Sequence, residues 1–275
     1  MKPVVLKFGG ELLEHRAHLA TIVAALKTIA AHGPVVVVHG GGKEIDAALK
    51  TAGIEKRQVD GLRITDEATL DVVVAVLAGS VNTRLVAALN TAGVGAVGLT
   101  GADGLCGLSE TAPPHRATDG RTVALGRVGI PVGAADSRLI DVLTGAGFVP
   151  VIACIGIGVD GRLFNVNADT FAGHLAAQLG ARRLIVAGTT AGVLDGNGKT
   201  VPTVDGSAIA ALVGDGTATA GMIAKLRACE HALAAGVDEV AIVDGRDRAA
   251  LESAATGVVP GQATRIVADG VRAQR

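Results

Sequence analysis

The sequence predicts an α/β protein, a three-layer αβα sandwich built on a mainly parallel, open sheet. Continuous apolar runs alternate with stretches whose apolar residues recur at helical spacing, the pattern of strands covered on both faces by crossover helices. Two glycine clusters directly follow the first two strands, where strand carboxyl ends hand over to helices at a ligand-binding edge. At 275 residues the chain is long enough for one large unit or two fused lobes.

Val4–Phe8 is the first predicted strand, and Leu19, Ile22, Val23, Leu26 and Ile29 then recur as one face of a helix. Gly33 and Pro34 stop that helix ahead of a strand over 35–38, and a helix follows over 43–52. Thr65, Asp66 and Glu67 form a capped, acidic start to a long helix with Leu70, Val74, Leu77, Val81, Leu85 and Leu89 on one face, ended by Gly93. Residues 93–99 and 148–155 are further buried strands, and 104–135, rich in Gly, Pro and polar residues, is expected to form surface hairpins. After Asn165 the pattern repeats. A helix carries Phe171, Leu175 and Leu179 up to Gly180, a strand covers 183–187, and a turn-rich stretch follows. A helix with Ile223, Leu226 and Leu233 stopped by Gly236, and strands over 240–243 and 264–267, finish the chain. No linker composition or repeat period separates the halves, so the expectation is two lobes of one continuous sheet meeting near Asp169.

Composition narrows the function. With 25 basic and 26 acidic residues and a net charge of −1, no basic run points to nucleic acid. Mean hydropathy is +0.47, but the uncharged stretches 85–102 and 142–159 are broken by glycines, Asn90 and Pro150, unlike a membrane span of roughly 20 apolar residues. The 2–8 stretch is too short for a signal peptide core. Cys106, Cys154 and Cys229 have no metal-ligand spacing, fit reduced thiols and point to the cytoplasm. With four Phe and no Trp or Tyr, ring stacking is not the main recognition device.

Three motifs imitate known sites. Gly156 to Gly161 fits G-x-G-x-x-G, but a strand-like run follows where a dinucleotide site needs a helix, so a hairpin is expected. Gly192 and Gly198-Lys199-Thr200 have the wrong spacing for a Walker loop and no helix after them. His39-Gly40-Gly41-Gly42 lacks the G-x-S-x-G elbow that an oxyanion strip would serve.

Gly9-Gly10 and Gly40-Gly41-Gly42 instead place side-chain-free backbone at two strand ends, where N–H groups and helix starts close on an anion. Lys7 stands at the end of the first strand beside them. In the second half, Asp169 follows Asn165-Val166-Asn167-Ala168 at a helix start. Lys225 follows Gly221-Met222 in what the spacing places as a first helical turn, where a cation opposes the helix dipole unless it faces an anion.

These runs, with Gly61-Leu62-Arg63-Ile64-Thr65-Asp66, Ala96-Val97-Gly98-Leu99 and Gly192-Val193-Leu194-Asp195, resemble the acetylglutamate kinases of the amino-acid kinase family over essentially the whole chain. The resemblance implies the amino-acid kinase fold and transfer of a phosphoryl group from ATP to the side-chain carboxylate of N-acetylglutamate, in arginine biosynthesis. It implies that Lys7 and Lys225 stabilise the phosphoryl group and that Asp169 orients both. Gly41, Gly42, Arg63, Asn165 and Asn167 would hold the acid, Arg63 through its α-carboxylate. Gly9, Gly10, Thr189, Gly192, Val193, Leu194, Thr217, Gly221 and Met222 would contact ATP, with Mg2+ bridging its phosphates. The acid and the dimer contact would belong to residues 1–168, the nucleotide to 169–275. A carboxylate with a pKa near ~4.3 is already ionised, so no general base is required.

Two departures accompany the resemblance. Gly188-Thr189-Thr190-Ala191-Gly192 replaces the family's usual Thr-Asp-Val-x-Gly loop, and 104–135 matches poorly. Only six residues precede Lys7, where arginine-inhibited members carry an extra helix, so the implied form is an arginine-insensitive homodimer using the helix over 66–89. The rival readings are a kinase of a related acid such as N-acetyl-aminoadipate, and a silent ligand-binding homologue.

Overall fold

A computed structural model describes residues 1–133, 136–214 and 220–269. An eight-stranded sheet runs in the order Thr203–Val204, Thr264–Ile266, Glu239–Asp244, Arg183–Gly188, Val4–Phe8, Val35–His39, Val149–Ala153, Ala96–Thr100. From Glu239–Asp244 across to Ala96–Thr100 every pairing is parallel, and Thr264–Ile266 joins antiparallel. The Arg16–Ala30, Glu67–Thr91 and Arg248–Thr256 helices pack on one face, Ala168–Gln178 and Ala220–Ala234 on the other. Covered on both sides, Val4–Phe8, Val35–His39 and Val149–Ala153 are buried along their whole length, which is why they carry no polar alternation.

Val4–Phe8 pairs with Val35–His39 on one side and Arg183–Gly188 on the other, so the winding reverses there. The carboxyl ends of these strands therefore flank the crevice where open α/β sheets take their ligands.

Of the region 104–135, the described residues 104–133 form short strands, as its composition predicts. Ser109–Thr111 and Val128–Pro131 join the Ile155–Ile157 and Leu163–Val166 hairpin in a second, four-stranded sheet. That hairpin, with Gly161 at φ +80, accounts for the G-x-G-x-x-G imitation. The stretch at 195–199 is a turn in which the Asp195 carboxylate accepts from the Asn197 and Lys199 amides.

Some elements differ from the sequence reading. Arg138–Gly145, Gly206–Gly214 and Arg248–Thr256 are helices in stretches the pattern gave to strands, turns or nothing. In the Glu67–Thr91 helix, Val73 faces the core and Val74 is only half-buried, because residues Ala75–Val81 form a π-helical segment. This helix has the length and apolar composition of a membrane span, yet Val73, Leu77, Val81, Leu85 and Leu89 belong to the main core.

Candidate active site

Both glycine clusters meet at the strand ends. A Cβ placed on Gly10 would stand 2.5 Å from the Gly41 Cα, so the two loops touch backbone to backbone and neither tolerates a side chain at the contact. Around them opens a cleft of about 260 Å3 lined by Lys7, Gly9, Gly10, Gly41, Gly42, Arg63, Asn165, Asn167 and Asp169. Sequence reasoning had named every one of these. The same cleft is lined by Gly40, which belongs to the predicted glycine cradle, and by Glu11, Ile45, Leu62, Leu77, Val128 and Cys154, to which the sequence assigns no role in the site. Apolar lining of that kind leaves no motif, and only the glycine run made Gly40 findable.

Lys7 projects from the central strand with its Nζ 2.9 Å from Asp169 Oδ1, the two side chains 7% and 11% exposed. Burial works against the Lys7 ammonium, but the Asp169 carboxylate and the more modest pull of Glu11 outweigh it and hold Lys7 above its ordinary pKa. Asp169 is placed by the Ala168–Gln178 helix. Asn167 caps that helix, its Oδ1 accepting from the Asp169 and Thr170 amides at 2.9 and 3.1 Å, so its oxygen is occupied by the backbone.

Lys225 reaches the same place from the Ala220–Ala234 helix, in its second turn rather than its first, so the helix dipole does not explain it. A Cβ on Gly188 would stand 3.0 Å from Lys225 Nζ; glycine at that strand end clears the path for the side chain. Burial and then the charge of Lys7 depress the Lys225 pKa, only partly offset by Asp169 and Glu11. One ammonium is thus compensated in advance and the other is not. Such a pair is electrostatically prepared for a further anion.

Arg63 enters from the ribbon of Gln58–Val59 and Leu62–Arg63, whose turn residues Asp60 and Gly61 both have positive φ, 46 and 79. Its Nη2 donates to Asp46 Oδ1 at 2.6 Å and to the Gly42 carbonyl at 3.3 Å. Its Nη1 is buried and has no partner among the described residues, the kind of vacancy a carboxylate ligand satisfies. Asn165 Nδ2 donates to Thr65 Oγ1 at 3.1 Å on the far wall. Asp60 accepts from His115 Nε2 at 2.8 Å and from the Thr118 amide and hydroxyl, tying the ribbon to its neighbour and holding the Asp60 carboxyl below its usual range.

The residues expected at a nucleotide are dispersed. Val193 is buried, its amide donating to Thr264 Oγ1 at 2.8 Å, and Gly192 lies against that threonine, while Leu194 is exposed and Thr189 half-buried. Gly221 and Met222 open the helix of Lys225, and Thr217 lies outside the described residues. Cys154, beside Lys7, is inert: burial pushes its thiol up to about 12.

Residues 2–244 match the amino acid kinase family. The chain is 43% identical over 250 residues to the acetylglutamate kinase of Acidiphilium cryptum, covering 88% of this chain and 83% of that one. Among solved structures it resembles smu.665 from Streptococcus mutans, with TM-score 0.78 and 26% identity over 88% and 94% of the two chains. It also shares its fold with a carbamate kinase from Giardia, with TM-score 0.65 and 17% identity over 97% and 98%.

Proposed function

The chain belongs to the amino acid kinase family, and we propose that it phosphorylates the side-chain carboxylate of N-acetyl-L-glutamate with ATP, as an acetylglutamate kinase. The observation that carries this reading is the pairing, in one cleft, of a buried Lys7 and Asp169 with an Arg63 whose second guanidinium nitrogen is unpartnered among the described residues.

In this reading Arg63 takes the α-carboxylate and the Gly40–Gly42 backbone seats the acid, leaving the side-chain carboxylate facing the γ-phosphoryl group. A carboxylate oxygen forms the new bond to phosphorus as the bond from phosphorus to the bridging oxygen breaks, and ADP leaves with that electron pair. No proton moves, because the nucleophile is already an anion. The work is positioning and charge neutralisation. Lys7, locked to Asp169, and Lys225, reaching past Gly188, spread their charge over the equatorial oxygens as these pass from donor to acceptor. Among the described residues no group of three His, Cys, Asp or Glu side chains is placed to hold a metal ion. Magnesium would enter with the nucleotide and add positive charge at its phosphates, and no step above runs through it.

The reading extends to two lobes, 1–168 for the acid and 169–275 for the nucleotide, and to a homodimer. The Ala96–Thr100 strand ends the sheet and the Glu67–Thr91 helix flanks it, a surface suited to a second copy. Sedimentation of a monomer at micromolar concentration would refute the dimer. Three buried free cysteines fit a reducing, cytoplasmic setting.

The kinase reading is tested by ADP release with Mg-ATP and acetylglutamate, acetylaminoadipate, aspartate, glutamate or carbamate. Acetylglutamate is expected to give the highest kcat/KM. Silence with all five acids overturns the reading, and preference for acetylaminoadipate moves it to the longer acid.

A further inference from the structure

Between the long helix and the glycine loop lies a buried polar chain that the reaction above does not use. Asn82 is 4% exposed and His39 is fully buried. Asn82 Nδ2 lies 2.8 Å from the Val151 carbonyl and 3.0 Å from His39 Nε2, and His39 Nδ1 lies 3.2 Å from the Gly40 carbonyl. A carbonyl only accepts, so Val151 fixes the amide with its nitrogen inward. That nitrogen has no lone pair to offer, so His39 Nε2 is the acceptor. The ring's proton then sits on Nδ1 and is donated to Gly40.

The direction of donation therefore runs from Asn82 to His39 to the loop. Burial and then the charge of Arg84 lower the His39 pKa to about 4, so the ring stays neutral and this tautomer holds through neutral pH.

The long helix is shaped to deliver these contacts. Its π-helical Ala75–Val81 segment ends with the Asn82 amide donating to the Leu77 carbonyl, five residues back, and such segments recur where a helix must re-aim side chains. Leu77 and Val81 press on the glycine loop from the same segment: a Cβ on Gly41 would stand 2.7 Å from Leu77 and 3.3 Å from Val81. Gly98, on the edge strand, leaves room for the amide, since a Cβ there would strike the Asn82 oxygen. Loop, amide and helix segment form one fitted unit.

We propose that Asn82 is a positioning residue that sets the His39 tautomer and, through it, the conformation of the Gly40–Gly42 loop that receives the acceptor acid. The inference rests on the kinase reading for its kinetic consequence, but not for its tautomer.

The test pairs nitrogen NMR of His39 in the wild-type protein with kinetics of Asn82→Asp. A carboxylate at position 82 accepts where the amide donates, so it draws a proton onto Nε2. The neutral ring is then left with a lone pair against the Gly40 carbonyl, and only the protonated ring restores that bond. Expected are an Nδ1-protonated, neutral His39 in the wild type and, in Asn82→Asp, a KM for the acid raised by about tenfold or more, with kcat within about threefold. The variant's KM should also become pH-dependent across the neutral range, where the wild type is flat. A purely structural asparagine would lower the melting temperature without creating that titration.

An Nε2-protonated His39 in the wild type overturns the proposal, as does a folded Asn82→Asp protein with unchanged KM. Should Asn82→Asp not fold, Asn82→Ser, whose single hydroxyl is too short to reach both partners, must show the same rise in KM. Absence of turnover in the wild type sinks the kinase reading instead, and the tautomer measurement still judges this one.

Discussion

Replacing Asp169 with Asn removes one charge and almost no volume, so it isolates the electrostatics of the Lys7 pair. The two side chains are 7% and 11% exposed at 2.9 Å, and stripping the partner from a buried charge costs about 3–5 kcal/mol. The Asn oxygen keeps an acceptor in place, which puts the expectation at the lower end, about 3 kcal/mol. Lys7 sits above its ordinary 10.5 because Asp169 and Glu11 outweigh burial. The pair's stabilisation is therefore fully present below that value and is lost only as pH rises through the raised one. Across neutral pH the stability difference between wild type and variant should be constant.

Activity should suffer more than stability. With the carboxylate gone, burial and the neighbouring Lys225 both act against the Lys7 charge, and the ammonium loses its fixed direction. A loss in kcat of about 10²–10³ is expected, the range for removing one preorganised charge-stabilising donor. Measurement of kcat, both KM values and the melting curve at neutral pH decides it. A folded variant with kcat within about threefold of wild type would refute the Lys-Asp-Lys reasoning.

Lys225 lies below its ordinary 10.5 through burial and the charge of Lys7, so kcat/KM should fall on an alkaline limb centred below that pH. Lys225→Arg, charged at every accessible pH, should lower the plateau but abolish the limb, and a wild-type profile flat to pH 10.5 contradicts the assignment. Gly10→Ala drives a methyl to 2.5 Å from the Gly41 backbone. It should cost about 1–3 kcal/mol by overpacking and raise the KM of both substrates; an unchanged melting temperature and KM would show that the loops are not in forced contact.

The site was more legible than the scaffold around it. Lys7, Asp169 and the two glycine runs could be read because a strand end, a helix start and a side-chain-free turn each leave a local mark, and the fold brings those marks to one edge. The missed helices lack a readable apolar period, although Asp247 and Gly257 cap the last of them. Gly206–Gly214 is nearly all small and apolar, with no polar stripe to give a period, and Arg248–Thr256 is a short alanine-rich segment. Arg138–Gly145 is only eight residues long, and its exposed Val142 blurs the face that Leu139, Ile140 and Leu143 turn to the core. Asp46 and Glu11 also escaped, because their importance lies in what they touch: Asp46 holds Arg63 and Lys56, pairings distant in sequence.

The long helix carries the subtlest signal. Its core residues Val73, Leu77, Val81, Leu85 and Leu89 repeat every four positions, wider than the 3.6 of an α-helix, so each step drifts by about 40° and the four accumulate about 160°. A straight helix would rotate the last of them off the sheet. The π segment absorbs that drift by widening the turn, which lets one apolar face stay on the core while Asn82 still reaches His39. The spacing that misplaced Val74 is thus the trace of the same distortion that ties the glycine loop to the helix. A regularity imperfect for local structure is here consistent with the geometry of the site.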